Sequence, residues 1–453
     1  MIHLIWALLH VVFYLYVPDY GASISLFIYV VFELAMVYGK RQKLELIHFY
    51  FIGLIISLFA NMSIIFSFLN GKGVGSFIYA NPQYFASAAL VFALGNQFLA
   101  MGYLSNLPIS LPKIKSTVLL SVSTMDWIFV ISMFIAFKNF WMTFTLPGTF
   151  QIIIDITAIV GIFMLSRFAG KYGETRLFIQ ALILTVSVAF NALLFSYLRL
   201  DIISPVIVFV LGYYVGTGKA ISFLNVKFLP LLILMLIFYS FFELFGASRQ
   251  NISSGFNRLS ELNTAILDKR YFGFDEEEKL TAFERSSNIS QLSAVYGLVA
   301  NHGFYKGNAS LPLLVALVPR FLWPEKPLIG LGAWFAMEIG AAEQIDDWYN
   351  NAVNMTIPGH LFLDFGWWGL AIGSFLVGLF LKILWSSVGF YEKKFNLLGT
   401  FFGVYLLFTC FLGIGADLQI IITYFSIYLV VLVISKIFNN LYENSLRRAN
   451  LER

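Results

Sequence analysis

The sequence predicts an all-α polytopic membrane protein, with about twelve transmembrane helices and one large extracytoplasmic loop containing amphipathic or re-entrant helices. Three observations carry that prediction. Hydrophobic residues make up 59% of the chain and charged residues 12%, whereas an ordinary soluble domain is about a quarter charged. The apolar excess comes in blocks of span length. One connection, of roughly 115 residues, is long enough to fold by itself, and loops of that size in compact proteins are usually functional.

The blocks run over residues 2–17, 22–38, 47–69, 84–104, 117–137, 149–166, 177–198, 202–217, 220–245, 361–384, 397–415 and 418–436. The first, Ile2 to Val17, lacks a basic n-region and a small-residue cleavage site, so it reads as a retained span. Lys and Arg in the short connections set the orientation. Lys40, Arg41 and Lys43 share a side with Lys113, Lys115, Arg167, Lys171, Arg176, Lys219, Lys393, Lys394 and the tail bearing Arg447, Arg448 and Arg453. The opposite short loops hold only Lys72, Lys138 and Arg199. The alternation closes without skipping a block, which puts both termini in the cytoplasm and the long connection outside. The chain thus divides into N-terminal helices (1–245), a large loop (246–360) and C-terminal helices with a cytoplasmic tail (361–453).

Glu33, Asp126, Asp155 and Glu243 lie in apolar blocks without complementary basic residues mid-span, and are expected to make interhelical hydrogen bonds. Gly369 and Gly373 have the spacing of close helix packing. Cys410 is the only cysteine, which excludes disulfides within the chain and thiolate metal clusters. There is no internal repeat and no inverted pair of broken helices of the transporter kind.

Within the loop, Phe283, Ile289, Leu292, Val295, Tyr296 and Val299 recur near helical spacing, predicting an amphipathic helix over Thr281 to Asn301, on or tucked into the membrane surface. Ser310 to Trp323 and Leu328 to Ile339 are apolar but too short to span, and read as re-entrant or interfacial pieces. Between them lies VPRFLWPEKP, Val318 to Pro327. Pro319 and Pro324 fix the backbone around Arg320, while Phe321, Leu322 and Trp323 suit the membrane interface. A fixed guanidinium matches phosphate bidentately, although an anchor on lipid headgroups or a pair with Glu325 would use the same residue.

His360, following Pro358 and Gly359, is the most base-like side chain of the loop, since histidine titrates near neutrality. Asp364 lies one turn later on the same face, placed to orient the ring or to be the base itself. His302 reads as a turn residue. Asp346–Asp347, an adjacent pair with no further ligands, is too little for a cation site, and no metal or cofactor is expected.

The elbow VPRFLWPEKP, preceded by FERSSNISQLSAVYGL and followed by NMTIPGHLFLDFGWWGL, resembles the Wzy-type oligosaccharide repeat-unit polymerases of O-antigen and capsule synthesis. Arg320 and Trp323 match that family's Pro-Arg-x-Leu-Trp-Pro signature, and Phe365, Gly366 and Gly369 its following helix start. The resemblance extends to Arg199 in FSYLRLDIISP and Arg249 in FGASRQN. One departure concerns the base: His360 stands where many members carry an acid.

The resemblance implies a GT-C-like glycosyltransferase of the bacterial inner membrane that needs no metal. Its partners would be undecaprenyl-diphosphate-linked oligosaccharides as donor and acceptor and the lipid bilayer, with a Wzz-type chain-length regulator and a Wzx-type flippase beside it. Arg320, Arg249, Arg285 and Arg199 would hold the diphosphate, and His360 with Asp364 would do the acid–base work. Two other readings fit the same residues. An O-antigen ligase also uses outer-loop arginines and a histidine before a late helix. A lipid-linked oligosaccharide flippase would need repeats and a polar central path.

Overall fold

The computed structural model describes residues 2–39, 45–70, 80–114, 122–142, 148–195, 199–217, 287–316, 323, 325, 330–342, 344–345, 348–349, 352–390, 396–412 and 416–451. Among these the chain is helical, apart from a short antiparallel pairing of Gln344–Ile345 with Trp348–Tyr349. Every predicted span coincides with a helix except 220–245, which lies outside the described residues. By length and apolarity, 6 helical segments can cross a membrane: Gly21–Tyr38, Leu46–Leu69, Pro82–Leu104, Thr175–Phe195, Ile357–Val388 and Gln419–Ile437.

Two compact units divide the chain. The first comprises Met1–Ile114, Glu276–Gly389 and Thr409–Lys436, and the second Lys115–Asp275, Phe390–Phe408 and Ile437–Arg453. In the first unit α1 (Ile2–Tyr16), α2 (Gly21–Gly39), α3 (Leu46–Leu69) and α4 (Phe85–Leu104) pack together. Their interior is not purely apolar. His10 Nδ1 lies 2.7 Å from Ser25 Oγ, its Nε2 lies 3.2 Å from Gln97 Oε1, and Gln97 Nε2 donates to the His3 carbonyl at 3.1 Å. Polar groups at such depth are kept because each finds a partner on a neighbouring helix. Glu33 belongs to the same cluster, with its carboxylate 3.6 Å from His3 Nδ1.

The second unit contains α5 (Val122–Ala136), the single turn α6 (Lys138–Trp141), α7 (Gly148–Tyr172), α8 (Thr175–Phe195) and α9 (Arg199–Thr217). Here Asp126 makes the interhelical hydrogen bonds expected of it, and both Asp126 and Asp155 also meet a cation from a helix end. Arg176 meets Asp126 at 2.6 Å, Gln180 donates to the same oxygen at 2.9 Å, and Lys138 pairs with Asp155. Both cations lie near the ends of neighbouring helices, and their long side chains reach along the helix faces to the acids. Glu243 lies outside the described residues.

The tightest helix contact in the first unit joins α4 to a late helix, α14 (Ser374–Val388). A Cβ on Gly102 would run into the Phe375 carbonyl, and one on Gly378 into the Leu99 carbonyl. The close approach therefore rests on Gly102 and Gly378. Gly369 and Gly373, which the sequence offered for that role, bound a π-turn and crowd Leu361 and Phe365 of the preceding helix. Gly102→Ala and Gly378→Ala should each lower unfolding stability in detergent by about 1–3 kcal/mol, because backbone rather than a flexible side chain must move. A change within error for both in thermal unfolding would refute this seam.

Candidate active site at the start of α13

Four elements converge in the first unit: α10 (Ile289–His302), α11 (Leu311–Ala316), α12 (Leu331–Glu338) and α13 (Ile357–Trp368). The amphipathic helix expected over 281–301 is α10 in its described part, and it is packed inward. Ile289, Ser290, Leu292, Ser293, Ala294, Val295, Gly297 and Leu298 are buried. The first N–H groups of a helix have no intrahelical acceptor. Here Asn61 of α3 supplies one: its Oδ1 accepts from Ser287 Oγ (2.7 Å), Asn288 N (2.9 Å) and Ile289 N (3.2 Å). Asn288 Nδ2 donates to Ser57 Oγ at 2.9 Å. Tyr296 stacks on Phe362 of α13 with ring centroids 5.5 Å apart, and Gly359 lets Leu292 and Val295 come against the α13 backbone.

The chain leaves α10 through Gly303 (φ +76) into a turn with Lys306 at φ +55 and Gly307 at φ +93. That turn is bound to α13 along its whole length. Tyr305 N donates to the Leu363 carbonyl (3.0 Å) and Lys306 N to the Asp364 carbonyl (2.8 Å). These carbonyls lie just before Gly366, whose φ of +63 interrupts the helix. Asp364 Oδ1 then accepts from Gly307 N (3.1 Å) and Ala309 N (3.0 Å), and Oδ2 from the Ser310 hydroxyl. Successive backbone donors in left-handed turns form anion-binding concavities, and this one holds a carboxylate of the chain itself. Tyr305 also donates to Glu338 of α12 at 3.0 Å. Burial, with the Glu338 carboxylate beside it, pushes the Tyr305 phenol up to about 12, so it stays a donor at neutral pH.

His360 sits one turn before Asp364, and both are fully buried, at 0% exposure. His360 Nε2 lies 3.0 Å from Ser310 Oγ and 3.7 Å from Asp364 Oδ2. The ring and the carboxylate thus share a face, as their spacing predicts, but Ser310 bridges them. His360 Nδ1 is buried without a hydrogen-bond partner among the described residues. Just upstream, Thr356 is held at φ +65, ψ +157, backbone space that a β-branched residue occupies only under constraint. Its Oγ1 accepts from Gly359 N (3.1 Å) and its carbonyl from His360 N (3.0 Å), so the strained residue fixes the turn carrying the imidazole.

Of the residues expected at a site, His360 and Asp364 are brought together. Arg199 begins α9 in the second unit, and its side chain is outside the described set. Arg249, Arg285 and Arg320 lie outside the described residues, as do Asp346 and Asp347. Ser310 is the residue that sequence reasoning missed. Its only signal was its place after NHGFYKGNA, a glycine-punctuated turn ending where an apolar segment starts. Among the described residues, no group of three or more His, Cys, Asp or Glu could hold a metal ion. Around the break at Gly366, Phe365, Trp367 and Trp368 are exposed, as aromatic residues at a membrane–water boundary are.

The arrangement can do two things chemically. It clamps a turn onto a helix start through a carboxylate, and it holds an imidazole with one nitrogen engaged and the other without a hydrogen-bond partner among the described residues. Comparison with protein-family models, with curated proteins and with solved structures finds no match.

Proposed function

We propose that the protein is a glycosyltransferase of the bacterial inner membrane that polymerises undecaprenyl-diphosphate-linked oligosaccharide repeat units into O-antigen or capsular polysaccharide. In this reading the chain spans the membrane about twelve times with both termini cytoplasmic, and residues 246–360 form a periplasmic loop. The observation that carries it is His360: a buried imidazole whose Nδ1 has no hydrogen-bond partner among the described residues, lying in the sequence after the Arg320 elbow and before the Gly366 helix break.

Polymerisation moves a growing glycan from its lipid diphosphate to a sugar hydroxyl of the incoming unit. His360 takes the hydroxyl proton, the oxygen bonds to the anomeric carbon, and the bond to the diphosphate oxygen breaks with its electron pair. Charge grows on the leaving diphosphate near lipid, where guanidinium groups act strongly. Arg320, Arg249, Arg285 and Arg199 are the candidates. A chain-length regulator and a flippase acting on the same lipid-linked units would be its partners. Ligation of a finished glycan to lipid A core is the second reading, favoured by a histidine where polymerases often carry an acid.

Purified protein in nanodiscs, given the lipid-linked repeat unit alone, should build a ladder of polymer. A ladder absent without lipid A core acceptor, but a single transfer product with it, would replace polymerase by ligase. Arg320→Lys should already be badly impaired, because the ammonium keeps the charge and loses the fork. Arg320→Ala should lose on the order of a hundred-fold or more in rate. Near-normal ladders from the lysine variant would reduce Arg320 to an anchor.

A further inference from the structure

We infer that Ser310 is a positioning residue that selects the tautomer of His360, making Nδ1 the nitrogen that accepts the substrate proton; the catalytic part of this rests on the polymerase reading. The Ser310 hydroxyl has one hydrogen, and it goes to Asp364 Oδ2. The other oxygen of that carboxylate, Oδ1, accepts from Gly307 N and Ala309 N. The Ser310 oxygen can then only accept from His360 Nε2, 3.0 Å away. A neutral imidazole has one N–H. With that hydrogen on Nε2, the lone pair is on Nδ1, the nitrogen without a partner among the described residues.

The relay runs Asp364, Ser310, His360, with a hydroxyl between carboxylate and ring. It has two consequences. The base atom is buried, so the acceptor hydroxyl must be brought to Nδ1 before its proton can move. When Nδ1 takes the proton, the new imidazolium still donates from Nε2 to Ser310 Oγ, whose own bond to the carboxylate strengthens as charge develops. Nothing in the chain has to rotate during transfer, which is the preorganisation that makes a fixed dipole effective.

The assignment is read directly from nitrogen chemical shifts. The chain has 5 histidines, and loss of one signal in His360→Gln identifies the ring. In wild-type protein in nanodiscs near neutral pH, His360 should be neutral with the hydrogen on Nε2. Ser310→Ala should populate the Nδ1–H form and lower the transfer rate about ten-fold or more, at the low end of general-base effects. Ser310→Thr, which keeps the hydroxyl, should restore both. An Nδ1–H or imidazolium signal in the wild type overturns the inference, and so does a tautomer unchanged in Ser310→Ala. A wild-type Nε2–H tautomer in a protein that makes no polymer overturns the polymerase reading and leaves the Ser310 assignment standing.

Discussion

Replacing Asp364 with alanine should destabilise the protein by about 3–5 kcal/mol, the range for removing one member of a buried charged network. The substitution strands three donors at once: Gly307 N, Ala309 N and the Ser310 hydroxyl. Each buried donor left unmet costs about 1–3 kcal/mol, and the upper sum is not reached because Gly307 and Ser310 are only half-buried and water can reach them. The turn would then be held to α13 by its two backbone bonds to Leu363 and Asp364, beside residues already in left-handed backbone, Lys306 and Gly307. Asp364→Asn is milder. Its one carbonyl oxygen can keep both backbone donors, while its amide forces the Ser310 hydroxyl to turn round and donate to His360. The asparagine variant should therefore fold and yet hold His360 in the opposite tautomer. Chemical unfolding in detergent, with protein level in the membrane as a second measure, checks this. An alanine variant within about 1 kcal/mol of wild type would mean that Asp364 is no anchor of the turn.

The contrast between these two substitutions also shows what the sequence could and could not convey. The spacing of His360 and Asp364 puts them on one helical face, and that much was legible. Their relation was not, because the residue joining them comes from about fifty positions upstream and no local pattern marks it. The same limit applies to α10. Its apolar residues recur at helical spacing, so the helix was legible, but its depth was not. In water a polar face points out; beside lipid, polar groups are satisfied by turning toward other helices. Ser287, Asn288 and Ser293 do so, meeting Asn61, Ser57 and the backbone N–H of Asn81. Asp126 makes the interhelical hydrogen bonds expected of it; the cations that Asp126 and Asp155 also meet reach in from the next helix end, where charge counts within a block do not see them. The break at Gly366 had a visible cause only in retrospect. A Cβ there would strike the Phe304 ring and sit at positive φ, and that contact is set by tertiary packing.

His360→Gln is the substitution with the largest expected effect on chemistry. Glutamine can lie where the imidazole lay and still donate to Ser310, so the turn, the carboxylate and the helix start keep their bonds. What it cannot do is accept a proton from a sugar hydroxyl. A hydroxyl is a poor nucleophile until its proton is leaving, and a positioned base contributes typically about 10²–10⁴-fold. The variant should reach the membrane at wild-type level, unfold within about 1 kcal/mol of wild type, since the bond to Ser310 is kept, and bind lipid-linked donor normally. Its rate of chain extension should fall by that factor with little change in apparent KM, because the interaction lost exists only in the transition state. The wild-type rate should also fall on acidification, as Nδ1 takes a proton before substrate can supply one, and the residual rate of the variant should lack that limb. Ladder formation by purified protein across a pH series measures both. Polymer from His360→Gln at near wild-type rate would leave the imidazole as part of the latch that holds the turn. The search for a base would then pass to groups beyond the start of α13, since every oxygen of Asp364 is already committed to a donor of the turn.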